Sequence, residues 1–226
     1  MQTKRLLIIP ARSGSKRIRN KNFRNFKGKP IIAYSILTAL KSKIFSKIVV
    51  STDSKKYYKY LNRFNVSISL RSKKISNNSA TIETVLRSVL SEYDQFGKIY
   101  NEVWSFAPCS PLIQTRDLIK ASKLLKKNKN KIILPVTEYP VPIEWSFKIN
   151  KNKKLIIMKK NFYKIRSQKL SKSYYDTGNF VGIPIHHFKK KIIDFDKYYI
   201  GLKIPKNRSV DIDDLEDWKI AEKFYR

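Results

Sequence analysis

The sequence contains very little cysteine and histidine. Cys109 is the single cysteine among 226 residues, and His186 and His187 are the only histidines. One cysteine cannot form an internal disulfide, which favours a reducing compartment, so we expect a cytoplasmic protein. We expect Cys109 to be a small buried residue rather than a nucleophile. Adjacent histidines diverge on any regular element, so this pair is not expected to bind one metal ion and is expected at the surface or at a helix start.

Long hydrophobic runs are also absent. No apolar run approaches the ~20 residues that a membrane-spanning helix needs. The first residues lead directly into a predicted strand instead of a signal-peptide cleavage site, so we expect no membrane association. A hydrophobic content of 42% is nevertheless enough for a full core. We therefore predict one domain spanning residues 1–226.

Acidic residues are scarce. The chain has 17 Asp and Glu against 49 Lys and Arg, a net charge of +32, and its pI is near 10.2. Such an excess of basic residues is typical of nucleic-acid-binding proteins. The lysines are scattered, however, and no RNP-like motif, zinc-finger spacing or isolated basic tail accompanies them. A non-catalytic basic nucleic-acid-binding protein remains an alternative, but attraction of an anionic substrate is the favoured consequence of the charge.

Residues 6–22 are the most informative stretch, because an apolar run there breaks into a short basic loop. Leu6 to Ile9 are predicted to form a buried strand that ends at Pro10. The loop matches neither the P-loop nor the dinucleotide-binding pattern. Ligands of open α/β sheets bind at the carboxyl ends of the strands, and Gly14 with its flanking serines is expected to turn N–H groups towards an anion. A polyphosphate site is predicted from Arg12, Ser13, Gly14, Ser15, Lys16, Arg17, Arg19 and Lys21.

Strands and helices alternate along most of the chain, which predicts an α/β fold with a mostly parallel sheet. Further strands are predicted at residues 47–53, 66–70, 103–106 and 131–136, and helices from Pro30, over 54–65, after Thr81 and over 118–127. The helix after Thr81 has one apolar face that is predicted to be core, formed by Ile82, Val85, Leu86, Val89 and Leu90.

Asp53 ends the second strand. It either caps the helix that follows, which is the favoured role, or orders the nucleotide pocket.

Residues 138–175 interrupt this alternation. The segment has clustered aromatic residues, two prolines near its start and no helical period. A structureless loop of that length is unusual inside a compact domain. A flexible surface excursion is one interpretation, but large aromatic side chains are costly to leave in water. We therefore expect a homodimer that covers Trp145, Phe147, Phe162, Tyr163 and Tyr174.

Two aspartates near the end of the chain form a candidate metal site. Asp211 and Asp213 are two residues apart, so on an extended segment their carboxylates point to the same side. Carboxylate oxygens suit Mg²⁺ on a triphosphate. Helix capping is the alternative role, but Asp214 and Asp217 already supply a capping pair for the last helix, which leaves the first two aspartates free for the ion.

Several short motifs resemble one enzyme family. They are Ile9-Pro10-Ala11-Arg12, Ser15-Lys16 and Lys21-Asn22 in the first loop, Val50-Ser51-Thr52-Asp53 in the second strand, and Asp211-Ile212-Asp213 near the end. These motifs resemble the acylneuraminate cytidylyltransferase (CMP-sialic acid synthetase) family, most closely its pseudaminic acid branch. The resemblance implies a Rossmann-like, GT-A-like nucleotidyltransferase fold with a mixed, mostly parallel sheet flanked by helices, and a small extended dimerisation lobe at residues 138–175.

The resemblance also implies a role for individual residues. It implies Arg12, Lys21 and Asp211 as catalytic residues, and Asp211 with Asp213 as ligands of Mg²⁺. It implies CTP binding by Arg12, Ser13, Gly14, Ser15, Lys16, Lys21, Asn22, Arg71 and Ala80. It implies sugar binding by Ala107, Arg166, Gln168 and Tyr175. The chain departs from the family pattern at Ser72, where the family has proline, at Lys73 and Lys74, where it has acidic residues, and at Ala107, where sialate-activating members have glutamine.

The function implied by the resemblance is transfer of CMP from CTP to a nine-carbon keto sugar acid, with release of pyrophosphate. Activation of the eight-carbon keto-deoxy-octulosonate is a close alternative that shares the first loop but not the long aromatic segment. The missing glutamine at Ala107 favours a less hydroxylated, diacylamino acid of the pseudaminate type over N-acetylneuraminate.

Overall fold

The centre of the fold is an eight-stranded sheet. The computed structural model describes residues 3–72, 75, 80–94, 97–189 and 197–225. The strands are β1 Arg5–Pro10, β2 Asn25–Phe26, β3 Lys29–Pro30, β4 Lys47–Thr52, β5 Ser67–Leu70, β6 Glu102–Phe106, β7 Ile132–Glu138, β8 Phe147–Ile149, β9 Leu155–Ile157, β10 Tyr174–Asp176, β11 Phe180–Pro184 and β12 Tyr199–Lys203. The α-helices are α1 Ile32–Ser42, α2 Tyr58–Leu61, α3 Ile82–Tyr93, α4 Thr115–Lys127 and α5 Leu215–Phe224.

The half of the sheet that carries the basic loop is parallel. β1 pairs in parallel with β4 and β6, and β4 pairs in parallel with β5. β11 joins antiparallel to both β6 and β7, β10 pairs antiparallel to β7, and β12 pairs parallel to β7. The carboxyl ends of β1, β4, β5 and β6 therefore lie along one edge of the sheet, where a ligand is expected to bind. A mixed, mostly parallel sheet flanked by helices was predicted from the sequence and is confirmed.

Both faces of the sheet are covered because the central strands are apolar on both sides. Along β1, Leu7 and Ile9 pack with the buried residues of α1 and α4, while Leu6 and Ile8 pack with those of α3. A third cluster lies beside the end of β1. It joins the basic loop to the C-terminal segment through Ile18, Phe26, Ile31, Tyr34, Cys109, Leu112, Ile212, Trp218 and Ala221.

Several local predictions were wrong. Pro30 lies in β3, and α1 begins only at Ile32. The helix expected over residues 54–65 is a short 3₁₀ turn at Lys55–Tyr57 followed by α2. Thr81 caps α3 through the N–H of Thr84 as expected, but Ile82 is 47% exposed, because it begins the helix on the side that faces a cavity.

His187 is also not a surface residue. It is 2% exposed, and its ring lies against Tyr198 and within hydrogen-bond distance of the Asn130 carbonyl. The other predicted position, a helix start, is the one observed, since His186 and His187 lie in the short 3₁₀ helix Ile185–Lys189.

The segment that interrupts the α/β alternation is small and extended, and its ends belong to the main sheet. Glu138 is the last residue of β7, and Tyr174 to Asp176 form β10. We call residues 139–173 the aromatic lobe. It contains the antiparallel pair β8 and β9 and two short 3₁₀ helices at Ile143–Trp145 and Ser167–Lys169.

Candidate active site

The basic loop at residues 11–22, called the phosphate loop below, lines a small cavity at the end of β1. The cavity has a volume of about 200 Å³. Its walls are Pro10, Arg12, Ser15, Lys16, Arg17, Ile18, Lys21, Asn22, Pro108 and Asp213. Of the basic side chains predicted for this site, Arg12, Lys16, Arg17 and Lys21 line the cavity, and Arg19 does not.

The backbone of the phosphate loop is already bonded within the protein. The Ser13 N–H donates to Asp53 Oδ1 at 2.7 Å, and the Ser15 N–H donates to the Ser13 carbonyl at 3.0 Å. These two N–H groups do not face an anion, contrary to the expectation. The positive charge of the cavity wall comes from basic side chains instead. Neither Ser13 nor Gly14 lines the small cavity.

Asp53 holds the phosphate loop instead of capping a helix. Its carboxylate holds the Ser13 N–H, and the turn that follows begins at Ser54 without a side-chain cap. The favoured prediction was wrong because the carboxylate, at the end of β4, meets the loop that leaves the neighbouring strand β1. The motif Val-Ser-Thr-Asp was the available signal for this role.

Two further contacts fasten the phosphate loop to the core. Asn22 is 5% exposed, and its Nδ2 donates to the Arg12 carbonyl at 2.8 Å. The Cys109 thiol donates to Asn22 Oδ1 at 3.2 Å. Burial raises the pKa of Cys109 to about 12. Cys109 is thus a buried, protonated thiol with a packing role, as expected.

Lys21 and Arg17 connect the phosphate loop to the acidic segment. Lys21 Nζ donates to the Ile212 carbonyl at 2.6 Å and lies 3.7 Å from Asp213 Oδ1. Arg17 lies 2.7 Å from the same carboxylate oxygen. Asp213 is therefore not free, contrary to the expectation, because the basic loop packs directly against it.

Asp211 is two residues before Asp213 and lies beside Gly178. A Cβ added to Gly178 would be 3.2 Å from Asp211 Oδ2, and Gly178 has a φ of +66°. Desolvation, and then the charge of Asp213, raise the pKa of Asp211. Two mutually repelling carboxylates are a donor set that suits a hard cation such as Mg²⁺. Asp214 and Asp217 form the predicted capping box of α5.

A larger cavity of about 550 Å³ adjoins the small one, since both are lined by Pro10, Arg12 and Pro108. Its remaining walls include Arg71, Ala80, Ala107, Asp176, Gly178 and Asn179. Arg71 is fixed by Ser51, with Nε donating to Oγ and NH2 to the carbonyl, both at 3.0 Å. Burial lowers the pKa of Arg71 to about 10, against the opposing effect of the Asp53 charge. Most of the loop between Arg71 and Ala80, including Lys73 and Lys74, lies outside the described residues.

The residues expected to bind the sugar do not lie together in one chain. Ala107 lines the large cavity, whereas Tyr175 lies on β10 with its ring 4.8 Å from that of Tyr139. Arg166 and Gln168 line a separate groove on the aromatic lobe, beside Trp145 and Tyr163. Sequence reasoning missed Asp176 and Asn179, which share the large cavity with Ala107.

Comparison with known proteins agrees with this geometry. A cytidylyltransferase family model matches residues 6–202. The chain belongs to the cytidylyltransferase family. It is accordingly a nucleotidyltransferase, and the adjoining cavities at the strand ends are its candidate active site.

The similar members of this cytidylyltransferase family act on several sugar acids, according to their names. The pseudaminic acid cytidylyltransferase of Campylobacter jejuni is 32% identical over 99% of this chain and 97% of its own length. The N-acylneuraminate cytidylyltransferase of Escherichia coli is 30% identical over 98% of this chain and 52% of its own length. A CMP-N,N'-diacetyllegionaminic acid synthase of Legionella pneumophila is 28% identical over 96% of this chain and 94% of its own length.

Solved structures share the fold. The CMP:2-keto-3-deoxy-manno-octonic acid synthetase in complex with CTP superposes with a TM-score of 0.70 at 12% identity, over 98% of each chain. The 4-diphosphocytidyl-2C-methyl-D-erythritol synthase of Anaerococcus prevotii gives 0.66 at 13% identity, over 99% of each chain. Within the part of the chain that the structure describes, no helix is both long and apolar enough to cross a membrane.

Proposed function

We propose that this cytidylyltransferase transfers CMP from CTP to a nine-carbon keto sugar acid of the pseudaminate type and releases pyrophosphate. The observation that carries the proposal is the pair of adjoining cavities. The small one is lined by Arg12, Lys16, Arg17 and Lys21, and the large one shares Arg12 and extends to Ala107. A triphosphate fits the small cationic cavity by charge, and the large cavity has room for a sugar acid.

In the proposed reaction the anomeric hydroxyl of the sugar acid loses its proton and attacks the α-phosphate of CTP in line. A new oxygen–phosphorus bond forms, the bond between the α- and β-phosphates breaks, and pyrophosphate leaves. Arg12 and Lys21 hold the phosphates and counter the charge that grows on them, while Ser15, Lys16 and Arg17 line the same cavity. Positioning and electrostatics therefore carry most of the catalysis.

Mg²⁺ is the cofactor that the acidic segment would hold. Asp213 lines the phosphate cavity, and Asp211, two residues before it, is the second candidate ligand. When bound there, Mg²⁺ neutralises phosphate charge in the transition state. Arg17 and Lys21 already lie beside Asp213, so this segment and the phosphate loop form one charged surface for the triphosphate.

A homodimer is the proposed assembly. Nine of the seventeen large hydrophobic side chains that are exposed in the described ranges belong to the aromatic lobe, including Ile149, Leu155 and Phe162. A concentrated apolar surface of this kind is typical of a protein interface. Arg166 and Gln168 lie on the same lobe, so pairing of two lobes is the arrangement by which we expect them to reach a sugar site of the partner subunit.

The sugar preference rests on the side chains of the large cavity and on the relatives. Ala107 presents a methyl group, which does not bind a sugar hydroxyl. The pseudaminic acid enzyme of Campylobacter jejuni matches nearly the whole chain. We therefore propose a deoxy, diacylamino substrate and a cytoplasmic reaction, the latter from the lone reduced cysteine.

Pyrophosphate release tests this function. The enzyme, CTP and Mg²⁺ are incubated with pseudaminate, N-acetylneuraminate and keto-deoxy-octulosonate, and kcat/KM is compared. We expect release with the nine-carbon acids and the highest kcat/KM for pseudaminate. A higher value for keto-deoxy-octulosonate would reassign the substrate class, and no release with any acid would overturn the proposal.

A further inference from the structure

One wall of the large cavity contains a buried hydrogen-bond acceptor without a partner. Asn179 is 2% exposed. Its Nδ2 donates to Ser110 Oγ at 3.1 Å, which fixes the side-chain amide. Its Oδ1 is buried and has no hydrogen-bond partner among the described residues. An amide oxygen of this kind is unfavourable unless some group completes its hydrogen bonding.

The position of Asn179 relates this oxygen to the sugar end of the cavity. The Asn179 carbonyl accepts the Ala107 N–H at 2.7 Å, so the two residues are held together where β6 ends. Both line the large cavity, whereas Lys16, Arg17 and Lys21 line only the small one. The base and phosphate groups of CTP have Arg71 and the phosphate loop available, which leaves the second substrate as the natural partner of this wall.

Asp176 supplies a second acceptor on the same wall. One of its oxygens accepts the Gly178 N–H at 2.9 Å, and the residue lines the large cavity. Desolvation raises the pKa of Asp176, against the opposing effect of that N–H. Asp176 is exposed to solvent and lines the cavity, so its carboxylate is accessible to a ligand. Ala107, which lines the same cavity, contributes no polar side chain.

We propose that Asn179 Oδ1 and the Asp176 carboxylate accept hydrogen bonds from donor groups of the sugar acid and so determine which sugar acid the enzyme prefers. This inference rests on the proposed function. The donor is either a hydroxyl or the N–H of an acylamino substituent. Ala107 offers the sugar no side-chain hydrogen-bond donor. The two acceptors on this wall replace that lost hydrogen bond, because they bind the hydroxyl or N–H groups of the sugar acid itself.

The decisive variant is Asn179→Leu, which removes the acceptor, together with the Nδ2 donor, and keeps the branching of the side chain at Cγ. A substrate donor left without its partner weakens binding by about tenfold or more. We expect KM for the sugar acid to rise by about that factor while KM for CTP stays the same. Asp176→Asn, which keeps one oxygen for the Gly178 N–H, should raise the same KM by a smaller factor.

Thr137→Val is the matched control. Thr137 is 1% exposed and its Oγ1 is also without a partner among the described residues, but it does not line the large cavity. Its KM for the sugar acid should equal that of the wild type. Thermal unfolding of each variant, together with the KM for CTP, reports any general damage to the fold.

Two sugar acids distinguish the donors. N-acetylneuraminate is compared with its counterpart that carries a hydroxyl in place of the acetamido group. If the donor is the acylamino N–H, Asn179→Leu reduces the preference for the acetamido sugar; if it is a hydroxyl, both sugars lose affinity equally. An unchanged KM for every sugar acid in Asn179→Leu overturns this inference alone. Failure of the wild-type enzyme to use any sugar acid overturns the proposed function and this inference with it.

Discussion

The phosphate loop and the aromatic lobe differ in composition and in how they are held to the rest of the chain. The phosphate loop is rich in charge and is tied to distant parts of its own chain, through Ser13 to Asp53 and through Lys21 to the Ile212 carbonyl. The aromatic lobe is rich in apolar surface, and its side-chain hydrogen bond from Trp145 to the Ile165 carbonyl stays within the lobe. The loop is therefore held in place within one copy of the chain, whereas the lobe leaves apolar side chains exposed, and these form the surface of the proposed homodimer.

The largest expected effect tests the acidic segment that adjoins the phosphate loop. Asp211→Asn and Asp213→Asn keep the shape of the side chain but remove the charge that a hard cation requires. Loss of the several kcal/mol that a metal ion supplies corresponds to a fall in kcat of about 10³-fold or more, measured by pyrophosphate release with Mg²⁺.

Glu216→Gln is the control for these variants, because Glu216 is an exposed acid in the first turn of α5 and lies outside both cavities. Its turnover should match the wild type. Normal turnover in both aspartate variants at ordinary Mg²⁺ concentrations would move the ion to another site.

The next effect tests the cations of the phosphate loop. Arg12→Ala and Lys21→Ala should each lower kcat by about 10²-fold, as loss of a transition-state charge clamp does. Both side chains are half-buried, although basic side chains of a surface loop are usually exposed. Lys21→Ala also removes the contact with the Ile212 carbonyl, so a slightly lower melting temperature is expected for that variant.

Arg19→Ala is the matched control for the cations. Arg19 is exposed on the same loop but does not line the small cavity. Its kcat should be unchanged. Equal losses in all three variants would mean that general positive charge matters and that Arg12 and Lys21 have no specific role.

A smaller effect on activity, but a clear effect on assembly, is expected in the aromatic lobe. Leu155 is 62% exposed on β9, so Leu155→Lys should leave the melting temperature of a monomer unchanged while it weakens association of the lobes. Light scattering at micromolar concentration should then show a lower mass than the wild type. Ile220→Lys, at a 39% exposed position on α5, should leave the mass unchanged. A monomeric, fully active wild type would contradict the proposed assembly.

The smallest effect concerns Cys109. Because burial raises its pKa to about 12, the thiolate fraction at pH 9 is on the order of 0.1%. Reaction of the folded enzyme with iodoacetamide should be slow at pH 7 and rise little by pH 9. Cys109→Ser, which keeps a donor towards Asn22, should retain nearly full kcat. Rapid inactivation by iodoacetamide that CTP prevents would assign the thiol a place in the active site.

The sequence was informative where a function depends on neighbouring residues. The phosphate loop is one continuous run, so its cations could be assigned to one pocket before the structure was known. The strand alternation likewise predicted the sheet, because buried parallel strands are continuously apolar. Asp211 and Asp213 were recognisable as a pair since only Ile212 separates them.

Contacts between distant residues were not predictable in this way. Asp53 meets Ser13 across 40 positions of the chain, and Asn179 faces Ala107 across a pair of antiparallel strands. A local pattern at Asp53 favours helix capping because it contains no information about the loop on the adjacent strand. Pro30 was misassigned for a related reason, since proline suits both the first turn of a helix and a short edge strand.

The most direct test of the central claim follows both products of the reaction. The enzyme is incubated with Mg²⁺, pseudaminate and CTP labelled at the α-phosphate, and the labelled products and pyrophosphate are quantified together. The account predicts that label appears in a CMP-sugar in equal amount to the pyrophosphate released. Label in free CMP from the start of the reaction, or no pyrophosphate release, would contradict it.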